Sequence, residues 1–126
     1  MQSFRTSDLV VVGVQECEDI KPRRHEGSRS RKWRSLLLNA LGSTFEVLAQ
    51  HKIGGMQISV YAKKRLAKKI TGVLVLDVAC GIGNMINNKG AICVLLRIKS
   101  KTLALVNAHF AAHKDKVLIE LTTNLT

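Results

Sequence analysis

"GAICVLLRIKSKTLALVNAHF", residues 90–110, contains two apolar runs on either side of the short basic link Lys99-Ser100-Lys101. A link this short joins neighbouring strands through a tight turn, which makes the two strands antiparallel. A second pair of strand-like runs, residues 44–52 and 56–64, is separated by Gly54-Gly55, which is a hairpin signal. These two links predict a mixed or antiparallel sheet.

The other strand-like segments are "DLVVVGVQE" (8–16) and "GVLVLDVAC" (72–80). The first is a nearly continuous apolar run that ends in an acid, which is typical of a strand covered on both faces. Strand-like segments outnumber helical ones, so the chain is expected to be an α/β (α+β) protein built mainly on sheets. The sequence shows no internal repeat and no low-complexity segment.

From Trp33 onward, apolar residues recur at helical spacing. The residues that share the predicted apolar face are Trp33, Leu36, Leu37, Ala40 and Leu41. Ser28 or Ser30 is a candidate cap for the start of this helix, and Gly42 is expected to stop it. A second helix is expected to begin within residues 114–125.

The composition indicates one small, basic domain. The chain has 126 residues, 46% of them hydrophobic, and a net charge of +11, which favours anionic partners such as nucleic acid, an acidic membrane or phosphorylated small molecules. Cys17, Cys80 and Cys93 form no C-x-x-C pair, so reduced thiols and a cytoplasmic location are expected. No apolar stretch reaches the ~18 residues of a membrane span, and "MQSFRTSDLV" lacks the apolar core of a signal peptide.

The glycine-rich segment has two competing interpretations. "VLVLDVACGIGN" (73–84) resembles the first motif of methyltransferases that use S-adenosylmethionine, but the helix and the acid-tipped strand expected after it are missing. Residues 90–98 are strand-like, and no Asp or Glu occurs between Asp77 and Asp115. Alternatively, the segment is a loop whose amides, backbone N–H groups and Lys89 suit a phosphate. An ordinary Asn-Gly hairpin loop with a solvated lysine explains the same residues.

"NAHFAAH" (107–113) places His109 and His113 four residues apart at the end of an apolar strand. The two histidines fit core packing, a metal site or groups that hold a charged substrate. A zinc site at this spacing requires a helical context and further ligands, and the sequence shows neither.

Taken in order, "DLVVVGVQE", "GIGNMINNKGAI" and "LVNAHFAAH" resemble the inositol polyphosphate 5-phosphatases, whose superfamily also contains DNase-type endonucleases. "NKGA" and "HFAAH" carry most of the specificity, because a "QE" after a strand is common throughout the superfamily. The resemblance implies a DNase-like fold, of which this chain is an incomplete part: a two-sheet β-sandwich flanked by helices. It also implies Mg²⁺-dependent removal of the 5-phosphate from phosphoinositides or inositol polyphosphates.

The resemblance assigns roles to individual residues. Glu16 is the implied metal ligand, and a hard cation such as Mg²⁺ prefers carboxylate oxygen. His109 is the implied catalytic residue, because an imidazole can hydrogen-bond a phosphoryl oxygen and stabilise its developing charge. The implied substrate-binding residues are Asn88, Lys89, Asn107 and His113.

The family pattern continues with G-D-x-N, Trp-Cys-Asp-Arg and Asp-His motifs that this sequence lacks. Residues 1–126 are therefore expected to form a partial phosphatase domain that is inactive alone. Half of a sandwich exposes an apolar face, so aggregation is expected too.

Two other functions fit part of the pattern: a nuclease of the same superfamily, and a truncated fragment that binds anionic lipid without catalysis. With one Trp and one Tyr to stack on bases, no nucleic acid partner is expected. The basic run "KKRLAKK" (63–69) is a solvated face by default. As a hypothesis, it attracts an anionic membrane, which makes the protein peripheral to membranes within the cytoplasm.

Overall fold

The computed structural model describes residues 6–17, 28–80 and 89–110. None of the helices formed by these residues is long and apolar enough to cross a membrane. The elements, in chain order, are β1 (Leu9–Val14), α1 (Ser28–Leu41), β2 (Phe45–Ile53), β3 (Met56–Lys63), α2 (Lys64–Ala67), β4 (Ile70–Cys80), β5 (Lys89–Ile98) and β6 (Lys101–His109).

The six strands form two three-stranded antiparallel sheets, with strand orders β1-β3-β2 and β4-β5-β6. Both predicted hairpins are confirmed: Ile53 pairs with Met56 around Gly54-Gly55, and Ile98 pairs with Lys101 around the second turn. Gly54 has a φ of 52° and Lys99 a φ of 56°, the left-handed backbone that such short links require. The left-handed residue of the turn is therefore a glycine in the hairpin of the first sheet and a lysine in the hairpin of the second sheet.

The two sheets pack face to face around the middle strands β3 and β5. The core residues are Ala49, Met56, Ile58, Val60, Ile92, Val94 and Leu96. Within β5 the buried residues alternate with partly exposed ones, as the period of two of a strand requires. Each large aliphatic side chain buried here contributes roughly 1.5–3 kcal/mol, so this interface is the main source of stability in the described part of the chain.

Helix α1 covers the outer face of the first sheet, and it does so with a face that differs from the predicted one. Leu41 lies in a buried cluster with Val10, Phe45 and Tyr61, and Leu37 packs against that cluster. The predicted members Trp33 and Leu36 are 40% and 53% exposed. The buried face of α1 contains Ser30, Leu37 and Leu41. The helix is therefore rotated about its axis relative to the predicted apolar face, and only this side contacts the sheet.

The ends of α1 also differ in how well they were predicted. Gly42 has a φ of 77°, and its N–H donates to the Leu38 carbonyl at 3.0 Å, so it terminates the helix as expected. Ser30, a candidate cap, instead lies inside the helix and is fully buried. The second predicted helix, within residues 114–125, lies outside the described residues.

Strand β1 is less buried than its apolar sequence predicted. It is the edge strand of the first sheet, and Val11 on it is 40% exposed. Its other face, with Val10, packs against the α1 cluster. An edge position leaves one flank of the strand without a neighbour, which explains the exposed valine.

The strand pairing contradicts the methyltransferase interpretation of residues 73–84. Strand β4 pairs directly and antiparallel with β5, with Cys80 opposite Lys89. A methyltransferase motif requires a helix and then a parallel strand, whereas here the next described element is the partner strand of a hairpin. The sandwich itself agrees with the fold class predicted from the sequence.

Candidate active site at one edge of the sandwich

Glu16, Lys89 and His109 lie together at one end of the sandwich. Lys89 Nζ is 2.9 Å from His109 Nε2, and His109 Nε2 is 3.5 Å from Glu16 Oε1. The antiparallel topology explains the meeting: Glu16 follows the end of β1, Lys89 begins β5 and His109 ends β6. A carboxylate, an ammonium and an imidazole that are distant in sequence therefore form one cluster.

The side chains of Glu16 and His109 differ in their access to water. The Glu16 side chain is 78% exposed at the rim, whereas that of His109 is 16% exposed beneath it. Glu16 also has a φ of 54°, a left-handed backbone that is uncommon for residues other than glycine. The backbone turns out of the strand at this residue, so the carboxylate projects from the edge of the sheet.

The imidazole of His109 has one nitrogen at the rim and one in the interior. If Nε2 is unprotonated, it accepts a hydrogen bond from Lys89; if protonated, it donates to the Glu16 carboxylate. Nδ1 is buried and has no hydrogen-bond partner among the described residues. Buried polar atoms rarely stay unpaired, so this nitrogen marks the side from which a further acceptor or donor is needed.

Gly90 fixes the position of Lys89. It pairs with His109 across β5 and β6, and its φ is 147°. A Cβ at this position would lie 2.1 Å from the Val78 carbonyl oxygen, so only glycine fits. The close approach of β5 to β4 at this point places the lysine beside the imidazole.

Asn107 ties the two sheets together below this edge. Its side-chain Nδ2 donates to the Val14 carbonyl at 3.1 Å and to the Gln57 carbonyl at 2.9 Å, both on the opposite sheet. The residue is 8% exposed. A Cβ on Gly13 would lie 3.1 Å from Asn107 Cγ, so the missing side chain of Gly13 makes room for the amide.

Gln15 reinforces the same junction and was not singled out from the sequence. Its Nε2 donates to the Ala108 carbonyl and lies 3.4 Å from Asn107 Oδ1. The available signal was Gly13, because a glycine inside a strand often marks a close approach by another part of the chain. Gln15, the residue before Glu16, thus binds Ala108, the residue before His109.

The structure accounts for the other predicted site residues unequally. Asn88 and His113 lie outside the described residues. Asn107 was expected to contact substrate, and it lies on the same face as His109, two positions earlier. Both of its amide hydrogens are directed at backbone carbonyls, so its contact with substrate stays a prediction.

Within the cluster of Glu16, Lys89 and His109, one exposed carboxylate is available for a metal ion. Among the described residues there is no group of three or more His, Cys, Asp or Glu side chains that could hold one. Glu16 fits as a single oxygen ligand, because its carboxylate stands at the rim in solvent. The rest of a coordination shell has to come from water, substrate or other residues.

The basic run 63–69 lies at the opposite end of the sandwich. Asp8 at that end accepts hydrogen bonds from Arg65 at 2.5 Å and contacts Lys63 at 3.3 Å. These bonds, led by that from Arg65, lower the pKa of the Asp8 carboxyl below its usual value. The run is therefore not part of the cluster around His109.

Comparison with known proteins agrees with this picture. A sequence model described as "Endonuclease/Exonuclease/phosphatase family 2" matches residues 2–124. Type II inositol polyphosphate 5-phosphatase 15 from Arabidopsis thaliana is 32% identical over 123 residues, which cover 87% of this chain and 11% of that protein. Phosphatidylinositol 3,4,5-trisphosphate 5-phosphatase 1 from Mus musculus is 29% identical, over 88% of this chain and 9% of its own length.

The fold is shared with a solved 5-phosphatase domain. The inositol polyphosphate 5-phosphatase domain of SPsynaptojanin, in complex with inositol (1,4)-bisphosphate and calcium ion, superposes with a TM-score of 0.70 at 23% identity. The match covers 87% of this chain and 34% of that domain. The chain thus has the DNase-like fold predicted from its sequence, over about a third of the length of that domain and a tenth of the curated relatives.

Proposed function

Because the chain belongs to Endonuclease/Exonuclease/phosphatase family 2, we propose that it is part of a phosphatase that removes the 5-phosphate from inositol polyphosphates or phosphoinositides. The observation that carries the proposal is the cluster of Glu16, Lys89 and His109 at one edge of the sandwich. The names of the relatives support the substrate class, since they are 5-phosphatases of inositol polyphosphates and of a phosphoinositide.

The cluster suits phosphate monoester hydrolysis. The Lys89 ammonium and the His109 imidazole can donate hydrogen bonds to phosphoryl oxygens. Both groups thereby stabilise the negative charge on these oxygens. A bound phosphate displaces the Lys89 contact with Nε2, because a charged oxygen is a stronger acceptor than an imidazole nitrogen. Asn88, next to Lys89 in sequence, is proposed as a further phosphate ligand.

Mg²⁺ is the proposed cofactor, with Glu16 as one of its ligands. When bound, a divalent cation polarises the phosphoryl group and helps to orient water. Glu16 would hold the cation through its carboxylate, and the negative charge of that carboxylate next to a phosphate would thereby be offset. With Glu16 serving as a metal ligand, His109 would donate its hydrogen bond to the phosphate.

A nuclease of the same superfamily is the alternative enzyme. Base recognition in single strands relies on exposed aromatic rings. Tyr61 is fully buried, and Trp33 is 40% exposed on α1, about one turn after Ser30. Phe110, the residue after His109, is 49% exposed, so a ring is present at this edge. The phosphatase is preferred because the named relatives are inositol polyphosphate or phosphoinositide 5-phosphatases. A non-catalytic fragment that binds anionic lipid stays as the second alternative.

The 126-residue chain alone is proposed to be inactive, because the His109 cluster contains one carboxylate, Glu16, and the described residues form no complete metal shell. A cytoplasmic location is proposed as well. If the substrate is a lipid, contact with an anionic membrane is made near the His109 edge, since the headgroup has to reach that edge. The run 63–69, at the other end, does not serve this contact.

A chimera tests the proposal. The matching third of the SPsynaptojanin 5-phosphatase domain is replaced by residues 2–124 of this chain, and phosphate release from an inositol polyphosphate bearing a 5-phosphate is measured. We expect activity in the chimera and a loss of about 100-fold or more in its Lys89→Ala and His109→Ala variants.

Lys101→Ala is the matched control, because Lys101 is exposed at the opposite end of the sandwich. We expect this control to keep the activity of the parent chimera. A folded chimera whose Lys89→Ala variant is as active as its Lys101→Ala variant contradicts the proposal. Turnover at enzyme-like rates by the 126-residue chain itself contradicts the proposed inactivity.

A further inference from the structure

The end of the sandwich opposite the His109 cluster carries a dense group of cations, which we call the basic pole. Its members are Lys63, Lys64, Arg65, Lys68, Lys69, Arg97, Lys99 and Lys101. They come from the segment that links β3 through α2 to β4, and from the β5–β6 turn and the strand ends beside it. The two regions are neighbours because Ile70 at the start of β4 pairs with Ile98 at the end of β5. Seven of these side chains are exposed, and Lys63 is half-buried.

The basic pole is only weakly neutralised. Asp8 pairs with Lys63 and Arg65, and Glu46 is the other described acid at this end of the strands. The remaining six cations form no ion pair with any residue that the structure describes. An excess of like charge at one end repels itself, which makes an anionic partner favourable there.

The pole and the candidate active site point in opposite directions. Strand β5 runs between them, from Lys89 at the site to Arg97 and Ile98 at the pole, over ten residues. At ~3.3 Å per residue, the two ends lie roughly 30 Å apart. Charges are screened within about 8–10 Å at physiological ionic strength, so a membrane that presents a lipid to the His109 edge is not felt at the pole.

From this geometry we infer that the basic pole binds an acidic, extended polypeptide segment, separately from the membrane and from the substrate. The exclusion of the substrate membrane rests on the proposed function, whereas the charge excess does not. Lysines dominate the pole, and lysine is a flexible point charge suited to diffuse contacts rather than to bidentate recognition of single phosphates. The aromatic ring beside the pole is Phe45, which lies 5.9 Å from Lys63 Nζ and is 6% exposed, so it is too buried to stack on bases.

The probe is a fluorescein-labelled dodecamer of glutamate, titrated with the 126-residue chain and followed by fluorescence anisotropy at low and physiological salt. We expect binding that weakens with salt. Triple substitution K64Q/K68Q/K69Q is expected to weaken it about tenfold, since removing each exposed charge weakens binding about twofold. Circular dichroism checks that this variant remains folded.

The matched control is R29Q/R31Q/K32Q, which removes three exposed cations from the first turns of α1. That end of α1 lies near Cys17 and therefore near the His109 edge. We expect this control to change binding less than about twofold. Equal weakening by both triple variants overturns the inference, because net charge rather than the pole then explains binding.

Two further probes separate the other polyanions. A dodecamer of thymidine that binds at least tenfold more tightly than the glutamate dodecamer overturns the inference in favour of nucleic acid. Flotation with vesicles of phosphatidylcholine and 30% phosphatidylserine overturns it in favour of a membrane, provided K64Q/K68Q/K69Q abolishes the flotation. None of these measurements needs turnover, so failure here is distinguishable from failure of the proposed phosphatase activity.

Discussion

The two sheets share one core but differ in what covers their outer faces. The outer face of β1-β3-β2 lies under α1, and Tyr61 on it is completely buried. The outer face of β4-β5-β6 carries exposed apolar side chains on both edge strands, among them Leu74, Leu76, Val78 and Val106. Among the described residues, no helix packs on this second face.

The difference shows that apolar sequence and burial are separate properties. Strands β4 and β5 are apolar on both faces, which is typical of strands with a layer on either side. Only the inner layer is present among the described elements, so the outer face has the composition of a core and the exposure of a surface. A complete sandwich domain requires cover on that side.

The largest effect on the free energy of unfolding is expected from substituting Leu96, with Leu74 on the neighbouring strand as the comparison. Leu96 is 0% exposed in the core, whereas Leu74 is 53% exposed on the outer face. Leu96→Ala is expected to lower the free energy of unfolding by about 3 kcal/mol, and Leu74→Ala by less than about 1 kcal/mol. Urea unfolding followed by circular dichroism measures both. Equal losses mean that the outer face is covered.

The second prediction concerns the junction where the sheets meet. Gly13→Ala places a Cβ 3.1 Å from Asn107 Cγ, so we expect a loss of about 1–3 kcal/mol in unfolding free energy. Gly72→Ala is the matched control, because its Cβ meets Arg97 Cβ at an ordinary 3.6 Å. That control is expected to be neutral or stabilising by up to about 1 kcal/mol. A neutral Gly13→Ala contradicts the close packing described for Asn107.

The third prediction compares how substitutions on each sheet change the solubility of the chain. Val78→Thr with Val106→Thr makes the bare outer face more polar at nearly constant shape, and we expect a severalfold higher soluble concentration. Val11→Thr with Val47→Thr is the matched pair on the first sheet, where both valines are 40% exposed. We expect no such gain from that pair. Size-exclusion chromatography at several concentrations measures the difference.

The smallest effect is expected at Asp8, on the first sheet's side of the basic pole. Its lowered pKa means that the contacts with Arg65 and Lys63 stabilise the folded chain at pH above about 4. This contribution disappears as pH falls through the folded pKa. Asp8→Asn should therefore lower the melting temperature slightly at pH 7 and leave it unchanged near pH 2.

Glu46→Gln is the control for Asp8, because Glu46 is an exposed acid at the same end and forms no ion pair with another described residue. We expect this substitution to leave the melting temperature unchanged at both pH values. A difference between Asp8→Asn and the parent chain that persists near pH 2 contradicts the assignment to the ionised carboxylate.

The hairpins were predictable because their signals are local. Gly54-Gly55 and the Lys99-Ser100-Lys101 link stand between apolar runs, and turn chemistry acts over a few residues. The pairing of β1 with β3 was not predictable, since these strands are not consecutive and no local signal selects the partner. The rotation of α1 was missed because Trp33 and Leu36 are as apolar as Leu37 and Leu41.

The candidate site was predictable only in part. The resemblance carried by "QE", "NKGA" and "HFAAH" points to Glu16, Lys89 and His109, and these three side chains lie together in the structure. The bonds of Asn107 to Val14 and Gln57 join different sheets, so no spacing within the sequence encodes them. Gly13 was the single local hint of that junction.

Strand β6 has a further consequence for folding fidelity. Its inner and outer residues, such as Leu105 and Val106, are similarly apolar, so hydrophobic burial alone barely distinguishes the native alignment from one slipped by a single residue. The slip would turn Asn107 and His109 outward and forfeit the amide bonds to the opposite sheet. The buried Asn107 amide beneath the His109 edge thus favours the native alignment, because a slipped strand loses these hydrogen bonds.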